Sequence, residues 1–258
     1  MIEYPDMAKT KKLVVGNWKM YPERLDEAKK IVTDVKKVAK KVKRTNIIIC
    51  PPFVYLSIFS GIGKGALRLG AQNTNSESHG SLTGEVSVSQ IEQFKVDYVI
   101  VGHSERRKMG ESDDEVNKKV KAVLDYGMKP IVCVGESVRD HNGDYLNFIK
   151  NQICYAFRDV QKKFLSDVVI AYEPIWAVGA KEAMSPRDLH EVSIYIRKIL
   201  KDILGDFSMG IQILYGGAVD YLNASELIKE GNVSGFLIGR QSLVARDFVE
   251  IIKIVDAT

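Results

Sequence analysis

Eight short runs rich in valine, isoleucine and leucine recur along this chain, at residues 13–16, 46–50, 66–71, 97–101, 129–134, 168–172, 211–215 and 234–238. Their starts lie about 32 residues apart, close to the length of one strand–helix–strand unit. Most are apolar at consecutive positions instead of alternating, the pattern of strands covered on both faces, so they predict a parallel sheet. Between them, apolar residues spaced three and four apart predict helices over 24–42, 114–126, 145–164, 186–204 and 247–254. Ser185 followed by Pro186 supplies a cap and a first-turn proline for the fourth of these. No linker or compositional break divides the chain. Eight alternating units in one stretch therefore predict an α/β fold of the closed (β/α)8 barrel type, one domain over residues 1–258 with 1–10 as an N-terminal extension. Within that extension Met7 is an alternative start.

Composition narrows the function. Lys and Arg number 37 against 33 Asp and Glu, a net charge of only +4, too small for a nucleic-acid-binding face. The one basic run, Lys36 to Arg44, is interleaved with valines and alanines at helical spacing and reads as the solvated face of a helix. No stretch approaches 18 consecutive apolar residues and the first residues lack a signal-peptide pattern, which argues against membrane spanning and secretion. Cys50, Cys133 and Cys154 are odd in number, far apart and outside CxxC pairs. They predict neither a disulfide framework nor a thiolate metal site, and point to a reducing, cytoplasmic setting. One segment, 72–89, is polar, aperiodic and longer than most connections in a compact domain, so it is either a functional loop or an interface.

In a (β/α)8 barrel the active site lies at the C-terminal ends of the strands. The residues there are Asn17, Trp18 and Lys19 after the first run, Gly102, His103, Ser104 and Glu105 after the fourth, and Glu173 to Trp176 after the sixth. Gly216 and Gly217 follow the seventh, and Gly239 and Arg240 the eighth. Each admits a plain structural reading: a hydrogen-bonded histidine, a strand-end salt bridge, a surface lysine. His79, His141 and His190 keep that reading. His103, however, precedes a helix start, where backbone N–H groups favour a neutral imidazole. Gly216, Gly217 and Gly239 follow the last two strands, where such barrels cradle a phosphate on backbone N–H groups. A lysine, a carboxylate, a neutral imidazole and a phosphate cradle together suggest chemistry on a small phosphorylated carbonyl compound. The glycines of 61–65 precede a strand and so read as a turn, not a nucleotide loop. No metal-ligand cluster or dinucleotide fingerprint is present.

Four segments, in order, resemble the triosephosphate isomerase family: Gly16-Asn17-Trp18-Lys19-Met20, Gly102-His103-Ser104-Glu105-Arg106-Arg107, Ala171-Tyr172-Glu173-Pro174-Ile175-Trp176-Ala177 and Tyr215-Gly216-Gly217. Ala71-Gln72-Asn73, Thr83-Gly84-Glu85 and Cys133-Val134-Gly135-Glu136 add to the likeness, which runs from about residue 13 to 254. The resemblance implies a TIM barrel that interconverts dihydroxyacetone phosphate and D-glyceraldehyde 3-phosphate through an enediolate, in glycolysis and gluconeogenesis, with no cofactor and no metal. It assigns Glu173 as base, neutral His103 as carbonyl polariser, Lys19 as charge partner of the oxyanion and phosphate, and Asn17 and Glu105 as supports. It places phosphate contacts at Asn17, Lys19, Gly179, Ala218, Gly239 and Arg240. It makes Pro174, Ile175, Trp176, Ala177, Val178, Gly179, Ala180 and Lys181 a lid, and implies a homodimer built through the loop bearing Thr83.

Three positions depart from the family pattern. The lid continues Gly179-Ala180-Lys181-Glu182 where Gly-Thr-Gly-Lys is usual, Ala218 removes a hydroxyl, and Arg240 replaces the second of two glycines. These leave open a four-carbon ketose phosphate as an alternative substrate. The backbone N–H at 240 is expected to donate to phosphate while its side chain turns to solvent or to a neighbouring carboxylate. A Schiff-base aldolase using Lys19 would gain nothing from His103 and Glu173, and a non-catalytic barrel would not need them.

Overall fold

The computed structural model describes residues 10–63, 65–140, 142–177 and 183–258. Its eight strands are β1 Lys12–Asn17, β2 Thr45–Cys50, β3 Leu67–Ala71, β4 Tyr98–Val101, β5 Lys129–Val134, β6 Val169–Tyr172, β7 Gln212–Tyr215 and β8 Gly235–Ile238. Each pairs in parallel with the next, and β8 returns to β1 through Leu13↔Gly235 to Gly16↔Ile238, closing the barrel. The predicted runs match these strands to within about a residue, because burial on both faces makes each run apolar throughout.

The helices are α1 Leu25–Ala39, α2 Phe53–Phe59, α3 Val88–Glu92, α4 Ser104–Lys108, α5 Asp113–Asp125, α6 Asp144–Phe157, α7 Pro186–Leu204, α8 Ala224–Glu230 and α9 Ala245–Ala257. Ser185 caps α7 by accepting the Asp188 N–H, with Pro186 in the first turn as expected. Its stripe of Leu189, Val192, Ile196, Ile199 and Leu200 is buried against the barrel. Ser112 with Glu115 and Ser87 with Gln90 form capping boxes for α5 and α3, each satisfying two otherwise orphaned N–H groups.

Two predicted helices end early. The first stops at Ala39, and Lys40 to Arg44 turn into β2 because the Asp256 carboxylate of α9 accepts the Lys43 and Arg44 N–H groups. The third stops at Phe157: Asp159 takes a left-handed backbone, the Asn117 amide donates to the Ala156 and Arg158 carbonyls, and a separate 3-10 turn occupies Lys162–Asp167. No helix among the described residues is long and apolar enough to cross a membrane.

Two packed layers make the core. One fills the space between barrel and helices. The other is a column of twelve buried side chains inside the barrel, including Leu13 and Val15 from β1, Cys133 from β5, Val169 and Ala171 from β6, Leu214 from β7 and Leu237 from β8. Side chains alternate along a strand. The next inward positions above this column are therefore Asn17, Gly135, Glu173, Gly216 and Gly239.

Candidate active site

That uppermost inward tier opens into a cavity of about 430 Å³, lined by Asn17, Lys19, His103, Glu173, Gly216, Gly217, Ala218, Gly239 and Arg240 among others. Residues from five separate strand ends, up to 223 positions apart in the chain, meet there because the barrel closes. Glu105 stands outside the lining and reaches it through neighbours. Val178, Gly179, Ala180 and Lys181, with the phosphate contact expected at Gly179, lie outside the described residues; of the expected lid only Pro174, Ile175, Trp176 and the backbone of Ala177 are described.

Glu173 and His103 are both buried, with Glu173 Oε1 3.2 Å from His103 Nε2. The other carboxylate oxygen of Glu173 accepts the Ser104 N–H at 3.4 Å. Burial alone would push the carboxyl's pKa up; the imidazole, the Ser104 amide and the Cys133 thiol outweigh it and hold Glu173 below its ordinary value of 4.5. His103 sits at the N-cap of α4, where its Nδ1 accepts the Glu105 N–H at 3.2 Å. Burial disfavours charge on this ring while the Glu173 carboxylate favours it and lifts its pKa overall. The Nδ1 contact works against the cation, because a protonated Nδ1 could not accept that N–H. The neutral ring with its hydrogen on Nε2 keeps both contacts.

Lys19 carries a left-handed backbone, φ 53°, a strained conformation for a residue with a side chain. Asn17 Oδ1 accepts its N–H at 3.0 Å, and Gln72 Nε2 donates to its carbonyl at 2.8 Å and to that of Cys50 at 2.9 Å. The outcome is a lysine whose Nζ crosses to Glu105 Oε1 at 2.7 Å. After β7, Asn223 and Asp220 brace the turn: Asn223 Nδ2 donates to the Ala218 carbonyl, and the Asp220 carboxylate accepts the Leu222 and Asn223 N–H groups.

A family model described as triosephosphate isomerase matches residues 12–255. The chain belongs to the triosephosphate isomerase family. The triosephosphate isomerase of Natranaerobius thermophilus is 39% identical over 251 residues, covering 96% of each chain. That of Endomicrobium trichonymphae is 39% identical over 246 residues, covering 94% of this chain and 98% of its own, and that of Dictyoglomus thermophilum is 36% identical over 247 residues, covering 94% and 99%.

Within this isomerase-family barrel, the sequence reading passed over the groups that grip the chain on both sides of Glu173. Glu136, buried at the end of β5, accepts the Tyr172 hydroxyl at 3.0 Å and the Trp176 indole N–H at 2.9 Å, while its carbonyl accepts the Ile175 N–H. Arg139 lies over the Trp176 and Tyr145 rings, at 5.8 and 5.1 Å from their centroids. Met184, beyond the lid, donates its N–H to the Tyr215 hydroxyl at 3.0 Å. Glu136 stood in a quoted motif but had no role there, since its partners are 36 and 40 residues away. Of the other histidines, His79 is exposed in the 72–89 segment, His190 contacts the Glu230 carbonyl, and His141 lies outside the described residues.

Proposed function

We propose that this barrel interconverts dihydroxyacetone phosphate and D-glyceraldehyde 3-phosphate by moving a proton between adjacent carbons. Glu173 is the base, and the contact that carries the reading is its 3.2 Å approach to His103 inside a cavity walled by Lys19 and the glycine turns. A substrate carbon entering between them takes the carboxylate's attention, and the Nε2–H of neutral His103 turns to the carbonyl oxygen as negative charge develops. Lys19 offsets that charge, with Asn17 and Glu105 holding its backbone and head group in place. The phosphate rests on backbone N–H groups of Ala218, Gly239 and Arg240, with Gly179 of the lid completing the set. Among the described residues, no backbone carbonyl accepts the N–H of Gly217, Ala218 or Gly239, which supports this use. The lid's role is to exclude water around the enediolate. A coupled assay of the purified protein with triose and tetrose phosphates tests the reading: efficient turnover of the triose phosphates alone supports it, and none refutes it.

The pH profile follows from the site. A carboxyl held below its ordinary value is ionised above that value and loses its basicity only as pH falls through the lowered pKa. Glu173 itself therefore sets no acid limb in kcat/KM above pH 4.5. With glyceraldehyde 3-phosphate a limb near pH 6 is expected from the substrate's second phosphate ionisation, at about 6. Repeating the profile with unphosphorylated glyceraldehyde should remove that limb; its persistence would place the ionisation on the Glu173–His103 pair.

The same reading makes the active form a homodimer joined through the 72–89 segment. That arm is braced on itself by Asn75 N–H to the Val86 carbonyl, Asn75 to Glu85 and Ser89 to the Ser78 carbonyl, and it projects Leu82 and Thr83 to solvent. Met20 and Met109, on the loops after β1 and α4, are also strongly exposed. Light scattering at low micromolar concentration is expected to give about twice 28.9 kDa, whereas a fully active monomer would contradict it. One domain over the chain, and a cytoplasmic location in keeping with three free cysteines, complete the proposal.

A further inference from the structure

The cavity's charged side chains are not equally occupied. Lys19 gives its ammonium to Glu105, Glu173 faces His103, and Asp220 accepts two backbone N–H groups. Arg240 is the exception. It opens the short 3-10 turn Arg240–Leu243 directly after β8, its side chain is exposed at the cavity mouth, and it makes no hydrogen bond or ion pair with any described residue. A guanidinium stays charged at every physiological pH. Among the described lining residues Lys19 and Arg240 together balance Glu173 and Asp220; without Arg240 the mouth would carry a net negative charge and repel an anion.

We propose that Arg240 is a specificity residue that attracts phosphorylated substrates to the cavity by its charge. This rests on the isomerase reading above. The substrate phosphate carries about −1.5 to −2 charges at neutral pH, and an unpaired cation on its approach path raises its local concentration and capture rate. The mechanism needs no direct contact, so it is compatible with a side chain that points to solvent. Nor does it require a particular rotamer, because at low ionic strength the charge is felt over about 30 Å, against about 3 Å in 1 M salt. For one cation about 10 Å from a dianion in water, the unscreened attraction amounts to about fourfold. Unphosphorylated carbonyl compounds feel nothing of it, and the residue therefore sorts substrates by charge before the catalytic groups act.

The test compares the natural protein with Arg240→Gln. The measured quantity is kcat/KM for glyceraldehyde 3-phosphate from about 0.01 M to about 1 M sodium chloride, with unphosphorylated glyceraldehyde as the uncharged substrate. Lys29→Gln, an exposed site on α1 away from the cavity, removes the same charge elsewhere. The expected result is a drop of about threefold for Arg240→Gln in low salt that disappears in high salt, with glyceraldehyde turnover unmoved and a clearly smaller drop for Lys29→Gln. An equal loss at both salt extremes would mean a direct phosphate contact and overturn the proposal, as would no loss at all, or a matching loss with glyceraldehyde. Binding of inorganic phosphate by calorimetry separates this from the catalytic reading. A natural protein without isomerase turnover would refute that reading, while Arg240→Gln would still have to weaken phosphate binding in low salt and not in high salt.

Discussion

Glu173→Gln is expected to lower kcat by about 10² to 10⁴ with little change in KM. Glutamine keeps the length and shape of the side chain, so it fits the same buried position, and its amide can still face His103 Nε2. What it loses is the capacity to take a proton from carbon. No other carboxylate among the described lining residues can replace it, since Asp220 is engaged by the Leu222 and Asn223 N–H groups in the turn after β7. The proposed phosphate contacts lie on the turns after β7 and β8 and do not involve the carboxylate, which is why binding should persist. Steady-state kinetics on the purified variant check this, and turnover at the natural rate would remove Glu173 from the role of base.

Gly135→Ala should do the greatest harm to stability. A Cβ on Gly135 would lie 2.0 Å from the carbonyl oxygen of Glu173 and 2.6 Å from its carbonyl carbon, and both are backbone atoms. Neither side can yield cheaply. The Glu173 N–H is bonded to the Val134 carbonyl at 2.8 Å, and the Gly135 N–H to the buried Gln152 side chain at 2.8 Å. Relief therefore requires β5 and β6 to part at the level of Glu173. Overpacking of this kind costs about 3 kcal/mol, which for a protein of this size corresponds to a fall in Tm of roughly 6 to 12 °C. Displacement of Glu173 by even about 1 Å should also cut kcat by up to about 10². Thermal unfolding followed by circular dichroism, together with the isomerase assay, checks both. A melting temperature within 2 °C of the natural protein's would show that the strands separate more easily than this geometry allows.

The barrel was legible because its signal is repeated and local: each strand is a run of apolar residues buried on both sides, and eight at even spacing leave little else to build. The short helices α2, α3 and α8 were not, for five to seven residues span too few turns for a period to show. The early end of α6 depended on Asn117 reaching across from α5, a contact between residues 39 and 41 positions apart. A similar division holds for the site. Asn17, Lys19, His103 and Glu173 stood at strand ends and do share one cavity. The residues that set their poses were hidden: Gln72 holds the left-handed Lys19 from another strand, Glu136 grips both flanks of Glu173, and the need for glycine at 135 arises only from the backbone of β6. A sequence shows which groups are present at a strand end more readily than which distant neighbour aims them.

The glycines and polar residues above the twelve-residue column amount to a tier of core that was never filled. In a barrel built for durability alone, positions 17, 173, 216 and 239, which line the cavity, would carry interlocking aliphatic side chains like those beneath them, and the column would run to the rim. Here that packing energy is forgone, and two of the four positions hold buried polar groups that are costly to desolvate. Selection for stability and selection for turnover thus pull on the same four sites in opposite directions. Stabilising changes compatible with activity belong instead on the outer helices and their caps, whereas side chains repacked to fill these four positions would yield a sturdier barrel with nowhere to put a substrate.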